Sequence, residues 1–143
     1  MMISTKGRYA LRVLIDMAEH QSEGYVPLKE IAARQEISEK YLESIVKTLV
    51  QEGVLAGLRG KGGGYRLRVS PEKCTVGEIL RMTEGSLAPV ACLDGKSPAC
   101  GRIADCRTIT MWQGLDRVIN EYLDKYTIAD LMHLDEPGND YVI

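Results

Sequence analysis

The chain has 143 residues, a length typical of one compact domain. Apolar residues make up 45% of it and charged residues 27%, a composition that excludes a disordered or collagen-like chain. The formal net charge of -2 hides an asymmetry, because residues 1–73 carry 12 Lys and Arg against 9 Asp and Glu, whereas residues 74–143 carry 6 against 11. A basic amino-terminal half favours contact with a polyanion, with the acidic half facing elsewhere.

The sequence shows no export signal and no membrane span. Its first residues, MMISTKGRYA, lack the basic start, apolar core and cleavage site of a secretory signal, and no apolar run approaches roughly eighteen residues. We therefore expect a cytoplasmic protein without membrane contact. In that reducing compartment the 4 cysteines are expected to be free, metal-bound or redox-active rather than paired in structural disulfides.

Three helices are predicted at the start of the chain. The first covers residues 5–20, with Thr5 as its N-cap and an apolar face at helical spacing. A short second helix starts near Pro27, which a first helical turn tolerates, and a third begins at Ser38, a good N-cap, and ends at Gly53. Two short helices joined by a tight turn form the outline of a helix-turn-helix.

A β-hairpin is predicted next. Residues 54–59 and 65–69 have β-type patterns, and the glycine-rich segment 60–64 between them is a turn. The cations around these glycines are Arg59, Lys61, Arg66 and Arg68. The hairpin is therefore expected to be a positively charged wing. Its GKGGGY sequence does not match a phosphate-transfer loop, and no helix follows it.

The rest of the chain is predicted to be helical around one long loop. Thr75 and Glu78 form a Thr-x-x-Glu capping box, and the helix that they open closes at Gly85. A cysteine loop, residues 86–106, leads to a long helix at residues 107–125, whose apolar face is too broad for one neighbour to cover. We expect this helix to form a dimer interface.

The predicted fold class is mainly α with a small β-hairpin wing, organised as a winged helix-turn-helix domain plus a long dimerisation helix. Residues 1–73 are assigned to the DNA-binding domain. Residues 74–143 are assigned to the region that holds the cysteine loop and the dimerisation helix, with a further short element at residues 127–132.

A helix-turn-helix with a wing predicts binding to double-stranded DNA. The third helix can present polar side chains to base edges in a major groove, and the wing can bring amides and cations close to phosphates or a minor groove. For each helical side chain alone, the alternative is the solvated face of an amphipathic helix. The residues expected to contact DNA are Ser38, Glu39, Lys40, Tyr41, Glu43, Ser44 and Lys47 of the helix and Arg59, Lys61, Gly62, Gly63 and Tyr65 of the wing.

Three thiols lie within fifteen residues of a loop that has no apolar periodicity. Cys92, Cys100 and Cys106 can converge on soft iron, and cysteines are the usual ligands of iron–sulfur clusters. A zinc site and a redox-active disulfide are the alternatives for the same residues. Cys74 lies apart from them, and we expect it to be a buried apolar residue.

Four segments, in this order, resemble the Rrf family of winged-helix transcription regulators and in particular its iron–sulfur cluster regulators. They are STKGRYALRVLIDMA, VPLKEIAARQEISEKYLESIVKTLVQEGVLAGLRGKGGGYRL, TVGEIL and the cysteine loop. The similarity covers residues 2 to about 132, and RGKGGGY at residues 59–65 is its most specific part. The resemblance implies a homodimer that binds palindromic operators, with the long helix crossing its partner.

The resemblance also implies an iron–sulfur cluster bound by Cys92, Cys100 and Cys106, with [2Fe–2S] favoured over [4Fe–4S]. Seven residues separate the first two cysteines, more than in the cluster regulators. Ile109 stands where those regulators have a histidine ligand, and Arg8 stands where nitric-oxide-sensing relatives have an aspartate. The fourth ligand is unassigned; the candidates are Asp94, Asp105, His20, His133, Cys74, water and a small thiol.

The expected function is a transcription regulator, not an enzyme, that senses iron–sulfur cluster status in response to iron, sulfur, redox or nitric-oxide signals. The alternative is a cluster-free regulator of the same fold that responds to a metabolite, a partner protein or thiol oxidation, as the cysteine-metabolism branch of the family does. A cluster-bearing enzyme is disfavoured by the absence of a C-x-x-x-C-x-x-C motif and by the presence of only 2 histidines.

Overall fold

The computed structural model describes residues 2–21, 24–96 and 101–132. The helices in these ranges are α1 (Thr5–Glu19), α2 (Leu28–Gln35), α3 (Glu39–Gln51), α4 (Val76–Glu84), α5 (Ile109–Asp124) and α6 (Ile128–Met132), with short 3-10 helices at Ala91–Leu93 and Ile103–Asp105. An antiparallel hairpin of β1 (Leu55–Leu58) and β2 (Gly64–Leu67) lies between α3 and α4 in the chain. The predicted mainly helical fold with one hairpin is confirmed. Across the described residues, no helix combines the length with the apolar character that a membrane span needs.

Local sequence signals set the ends of α3 and α4 as predicted. The Ser38 hydroxyl accepts a hydrogen bond from the Tyr41 amide at 3.2 Å and so caps α3. Thr75 and Glu78 form the capping box of α4, and Gly85 ends that helix with a positive φ of 81°.

The predicted cap of α1 is wrong. Ser4, and not Thr5, is the N-cap, and its hydroxyl oxygen accepts from the Gly7 amide at 3.1 Å. The reason is a distant partner: the Glu84 carboxylate accepts from both the amide and the hydroxyl of Ser4, at 2.9 and 2.6 Å. This contact holds the start of α1 against the end of α4.

One apolar core joins elements on both sides of residue 73. The buried faces of α1, α2 and α3 meet in it, and Cys74, Ile79 and Ile128 pack in the same cluster. Cys74 is 5% exposed, which confirms that it is a buried residue. Residues 1–73 and 74–143 share this core. Their assignment to a DNA-binding domain and a region of cysteine loop and dimerisation helix therefore stays a prediction.

The long helix α5 packs on α4 through part of its apolar surface. Ile119 and Leu123 contact a small apolar cluster on and beside α4, and Arg81 of α4 donates to Asn120 at 2.9 Å and to Asp124 at 2.8 Å. Other large apolar side chains of α5 remain 41% to 60% exposed: Met111, Leu115, Val118 and Tyr122. The apolar surface of α5 is thus only partly covered within one chain.

Candidate nucleic-acid interface and cysteine loop

Helix α3 has one buried and one exposed face. Its buried residues are Leu42, Ile45, Val46 and Leu49, which pack in the core. Within α3, five of the predicted DNA contacts are exposed: Glu39, Lys40, Glu43, Ser44 and Lys47. The core thereby fixes the helix with its polar side chains in solvent, as a recognition helix requires.

Some predicted contacts on α3 also have roles inside the protein. The Tyr41 ring is half-buried and lies edge-on to Tyr9, with ring centroids 5.8 Å apart. The Ser44 hydroxyl donates to the Tyr41 carbonyl at 2.8 Å, and the Ser38 hydroxyl serves as the helix cap. These interactions orient the first two turns of α3, and a role of the same side chains in DNA contact stays a prediction.

The glycines of the wing are required by its backbone. Gly60 and Gly62 have φ values of 92° and 78°, in the left-handed region that favours glycine. A Cβ atom on Gly63 would collide with the Leu58 carbonyl oxygen, and one on Gly64 would collide with the carbonyl oxygen of Val26. The turn is therefore tightly built, and it leaves Arg59 and Lys61 exposed beside it.

The wing is attached to the chain segment that leads into α2. Val26 and Tyr65 form an isolated antiparallel bridge with two backbone hydrogen bonds of 2.8 Å each. Gly64 makes this close approach possible, because it has no side chain. The wing and the helix-turn-helix are consequently held as one unit.

A groove of about 870 Å³ runs between the first turn of α2, the exposed face of α3 and the wing. Half of the predicted DNA contacts line it: Glu39, Glu43, Lys47, Arg59, Gly63 and Tyr65. Lys61 and Gly62 are exposed at the tip of the wing, outside this lining. Ser38, Lys40, Tyr41 and Ser44 do not line the groove either.

Sequence reasoning missed several residues of this groove. Lys29, Val50, Gln51 and Leu58 line it as well, and Val50 and Leu58 are 37% and 49% exposed. The signal for Leu58 that the sequence offers is its place directly before Arg59, a predicted DNA contact. No local pattern indicates Lys29, because its place in the groove depends on the packing of α2 beside the wing.

Two of the three loop cysteines lie within the described residues. Cys92 is exposed on the 3-10 turn Ala91–Leu93, and Cys106 is half-buried where the turn Ile103–Asp105 ends. Cys100 lies outside the described residues. Both described thiols are free, and none of residues 88–96 and 101–106 is buried, so the loop gives these thiols no packing role.

The Cys106 thiol has an environment that favours its thiolate. Its Sγ lies 3.4 Å from the Thr108 hydroxyl. Hydrogen bonds from the Thr108 side chain and backbone lower the pKa of Cys106 below its ordinary value. A thiolate is the form that binds metals and reacts as a nucleophile, so the donor chemistry of the loop suits a soft metal centre.

Within the described ranges, no group of three His, Cys, Asp or Glu residues is placed to hold a metal ion. The candidates for a fourth ligand differ in how accessible their side chains are to a metal on the loop. His20 caps α1, with its Nδ1 2.7 Å from the Asp16 carbonyl oxygen, and burial raises the pKa of Cys74 to about 11. Asp94 and Asp105 lie on the loop itself, and His133 is outside the described residues.

Comparison with known proteins identifies the family of this chain. Residues 3–134 match the family described as "Rrf2: Iron-dependent Transcriptional regulator". This chain belongs to the Rrf2 family. Its relatives include protein rrf2 of Nitratidesulfovibrio vulgaris, 40% identical over 92% of this chain and 87% of the relative. The HTH-type transcriptional regulator IscR of Aliivibrio salmonicida is 39% identical over 92% of this chain and 77% of the relative.

A solved Rrf2-type structure has the same fold. CymR, the global cysteine regulator of B. subtilis, superposes with a TM-score of 0.76 at 36% identity, covering 95% of this chain and 99% of CymR. The winged-helix fold and the resemblance to the Rrf family are thereby confirmed. Since the family includes both IscR and a cysteine regulator, the signal of this Rrf2 protein has to be argued from its own residues.

Proposed function

We propose that this Rrf2-family protein is a homodimeric transcription regulator in the cytoplasm, not an enzyme, that binds palindromic double-stranded DNA under the control of an iron–sulfur cluster. Cys92, Cys100 and Cys106 would hold the cluster, with [2Fe–2S] favoured over [4Fe–4S]. The observation that carries this proposal is that Cys92 and Cys106 are free thiols, and that none of the described residues at 88–96 and 101–106 around them is buried. Bound there, the cluster would supply an iron–sulfide centre that oxygen, nitric oxide or iron shortage can alter.

The DNA-binding part of the proposal is supported by the groove. Glu39, Glu43 and Lys47 of α3 line it together with Arg59 of the wing, and the fold is that of Rrf2 regulators. Lysine and arginine can neutralise phosphates, while glutamate can accept hydrogen bonds from cytosine.

The coupling between loop and DNA is supported by connectivity. The cysteine loop joins α4 to α5, and α4 is fastened to α5 by Arg81 and to the start of α1 by Glu84. A change in loop conformation can therefore alter how α5, and with it a second copy of the chain, lies relative to the groove. Equal operator affinity of protein with and without the cluster would remove this part of the proposal.

The first test is an anaerobic ultraviolet–visible spectrum with iron and sulfide analysis, before and after reconstitution of the purified protein. We expect a coloured protein that contains acid-labile sulfide, and we expect the colour to be lost in the Cys92→Ala, Cys100→Ala and Cys106→Ala variants. Cys74→Ala is the matched control, because Cys74 is buried in the core and should leave the colour unchanged. A chromophore that survives in Cys106→Ala, or a colourless wild type, would contradict the cluster.

One observation favours a second candidate, a cluster-free regulator that responds to thiol oxidation. The lowered pKa of Cys106 gives that thiol more of the reactive thiolate form. This candidate predicts a colourless wild type whose DNA affinity changes on mild oxidation and recovers with a reductant. The same spectrum separates the two candidates.

A further inference from the structure

Lys29 is a cation at the groove that lies outside both the recognition helix and the wing. It is the second residue of α2, it is exposed, and it lines the groove together with Lys47 and Arg59. Among the residues that the structure describes, neither Lys29 nor Lys47 forms an ion pair with a carboxylate. Glu30, the residue after Lys29, does not line the groove and pairs with Arg34 at 3.7 Å. The charge of Lys29 is thus available to a ligand in the groove.

The charges in the groove are of two kinds. Glu39 and Glu43 line it near the start of α3, and Lys47 lines it about two turns further along. A phosphate is repelled by the carboxylates, whereas a cytosine amino group can donate to them. A DNA strand in the groove would therefore place its phosphates beside the lysines and Arg59, and its base edges towards the glutamates.

The backbone at Lys29 is held from both ends of α2. Before the helix, Val26 is bonded to Tyr65 of the wing by two hydrogen bonds of 2.8 Å. At its end, Arg34 and Gln35 donate to the buried Asp16 carboxylate at 2.7 to 3.2 Å. A contact between Lys29 and DNA would consequently fix the position of the whole helix-turn-helix, which a contact on a loose loop would not.

We propose that Lys29 and Lys47 form a two-point clamp on the phosphates of one DNA strand. The inference rests on the DNA binding of the proposed function and is independent of the cluster. A phosphate contact carries no sequence information. Lys29 should therefore contribute to affinity for every DNA sequence.

The experiment is the salt dependence of DNA binding by the full chain, measured by fluorescence anisotropy between about 50 and 200 mM salt. Two probes are used: a duplex that wild-type protein selects from a random pool, and a mixed-sequence duplex of the same length. For Lys29→Ala, we expect the slope of log K against log salt to become shallower by about 0.9, the value for one phosphate contact. The loss of affinity should be the same for both duplexes.

Three further variants sharpen the test. Lys29→Arg should keep the wild-type slope because it keeps the cation. In the double variant Lys29→Ala with Lys47→Ala, the slope of log K against log salt should become shallower by about twice as much. Lys73→Ala removes the same charge from an exposed residue that lines a separate cavity beside Cys74, and should keep the wild-type slope. Urea unfolding of each variant checks that the fold is intact.

The outcomes separate the clamp from the proposed function. If wild type binds the duplexes but Lys29→Ala has the wild-type slope, the clamp is refuted and DNA binding stands. A loss confined to the selected duplex, without a change in slope, would mean a base contact and would also refute the clamp. If wild type binds neither duplex, the DNA-binding function itself fails.

Discussion

At the scale of single residues, the pKa values of Cys106 and Cys74 are shifted in opposite directions. Thr108 lowers the pKa of Cys106 through hydrogen bonds, whereas burial raises the pKa of Cys74 to about 11. We expect iodoacetamide to label Cys106 in the native protein and to leave Cys74 unlabelled near neutral pH, because only thiolates react. Mass spectrometry of the labelled peptides measures both sites in one sample.

Thr108→Val provides the control for that prediction. It removes the hydroxyl at 3.4 Å from Sγ and should shift the labelling rate of Cys106 towards the rate of the same residue in urea-unfolded protein. Equal labelling rates for Cys106 in the native wild type, in Thr108→Val and in unfolded protein would show that the hydrogen bond has no effect on the thiolate.

Asp16 is the buried charged residue of the described core, at 4% exposure. Burial alone would raise its pKa, but hydrogen bonds from Arg34 and Gln35 and the Arg34 charge hold the pKa below the ordinary value of 3.8. Asp16→Asn removes the buried charge that pairs with Arg34 at 2.7 Å and leaves Arg34 its more distant pair with Glu30 at 3.7 Å. We expect the free energy of unfolding to fall by about 1 to 3 kcal/mol at neutral pH, because the hydrogen bonds to a charged group are lost while the Arg34 side chain is partly exposed.

The pH dependence of this effect has a definite sign. A carboxyl whose pKa is depressed on folding adds stability above its unfolded pKa and loses that stability as the pH falls through the folded pKa. The difference between wild type and Asp16→Asn in urea unfolding should therefore be full at about pH 6 and shrink below about pH 4. Glu19→Gln, on an exposed residue of the same helix, should change stability by less than about 0.5 kcal/mol. A difference that is constant with pH would contradict this account.

At the scale of elements, the attachment of the wing to the segment before α2 depends on one glycine. Gly64 has a φ of 149°, and a side chain there would collide with the Val26 carbonyl that pairs with Tyr65. We expect Gly64→Ala to break the Val26 bridge, to speed amide exchange of Val26 and Tyr65, and to weaken DNA binding, because the groove loses its fixed wall. Hydrogen exchange measures the first two effects, and anisotropy titration measures the loss of DNA binding.

Gly101→Ala is the matched control for the wing. A Cβ atom at Gly101 has open space around it and meets nothing within 4 Å among the described residues. In Gly101→Ala, amide hydrogen exchange in the wing should equal that of wild type. Should Gly64→Ala show the same protection of Val26 as Gly101→Ala, the collision would not control the wing.

At the scale of the whole molecule, the open surface of α5 is the expected contact with a second copy. Met111, Leu115, Val118 and Tyr122 follow one another at spacings of four, three and four residues and are 41% to 60% exposed. This is the spacing by which two helices pack side by side. Val118→Glu should give a monomer in light scattering with wild-type helix content, and should weaken binding to a palindromic duplex because two half-sites are no longer read together.

Gln113→Glu adds the same charge to α5 at an exposed residue outside that apolar series, and should leave the dimer intact. Val118→Glu protein that remains dimeric would place the interface elsewhere.

Much of this fold could be predicted from short-range patterns. The caps at Ser38 and Thr75, the hairpin and the apolar faces all depend on neighbours within a few residues, and the structure has them. The cap of α1 was mispredicted for a tertiary reason, since Glu84 binds Ser4 from 80 residues away. The strands are also slightly displaced, because Gly64 joins β2 where Val26 can approach it.

The sequence by itself determined the helix-turn-helix, the charged wing and the set of thiols on the loop, because each is a pattern of residue types along a short stretch of chain. Tertiary structure alone decided that α2 lies beside the wing, which brings Lys29 into the groove with Glu39 and Lys47. It also decided that Glu84 binds Ser4, so that α1 is capped one residue earlier than predicted. These facts depend on contacts between distant parts of the chain, which form only when the apolar faces of several elements are buried together.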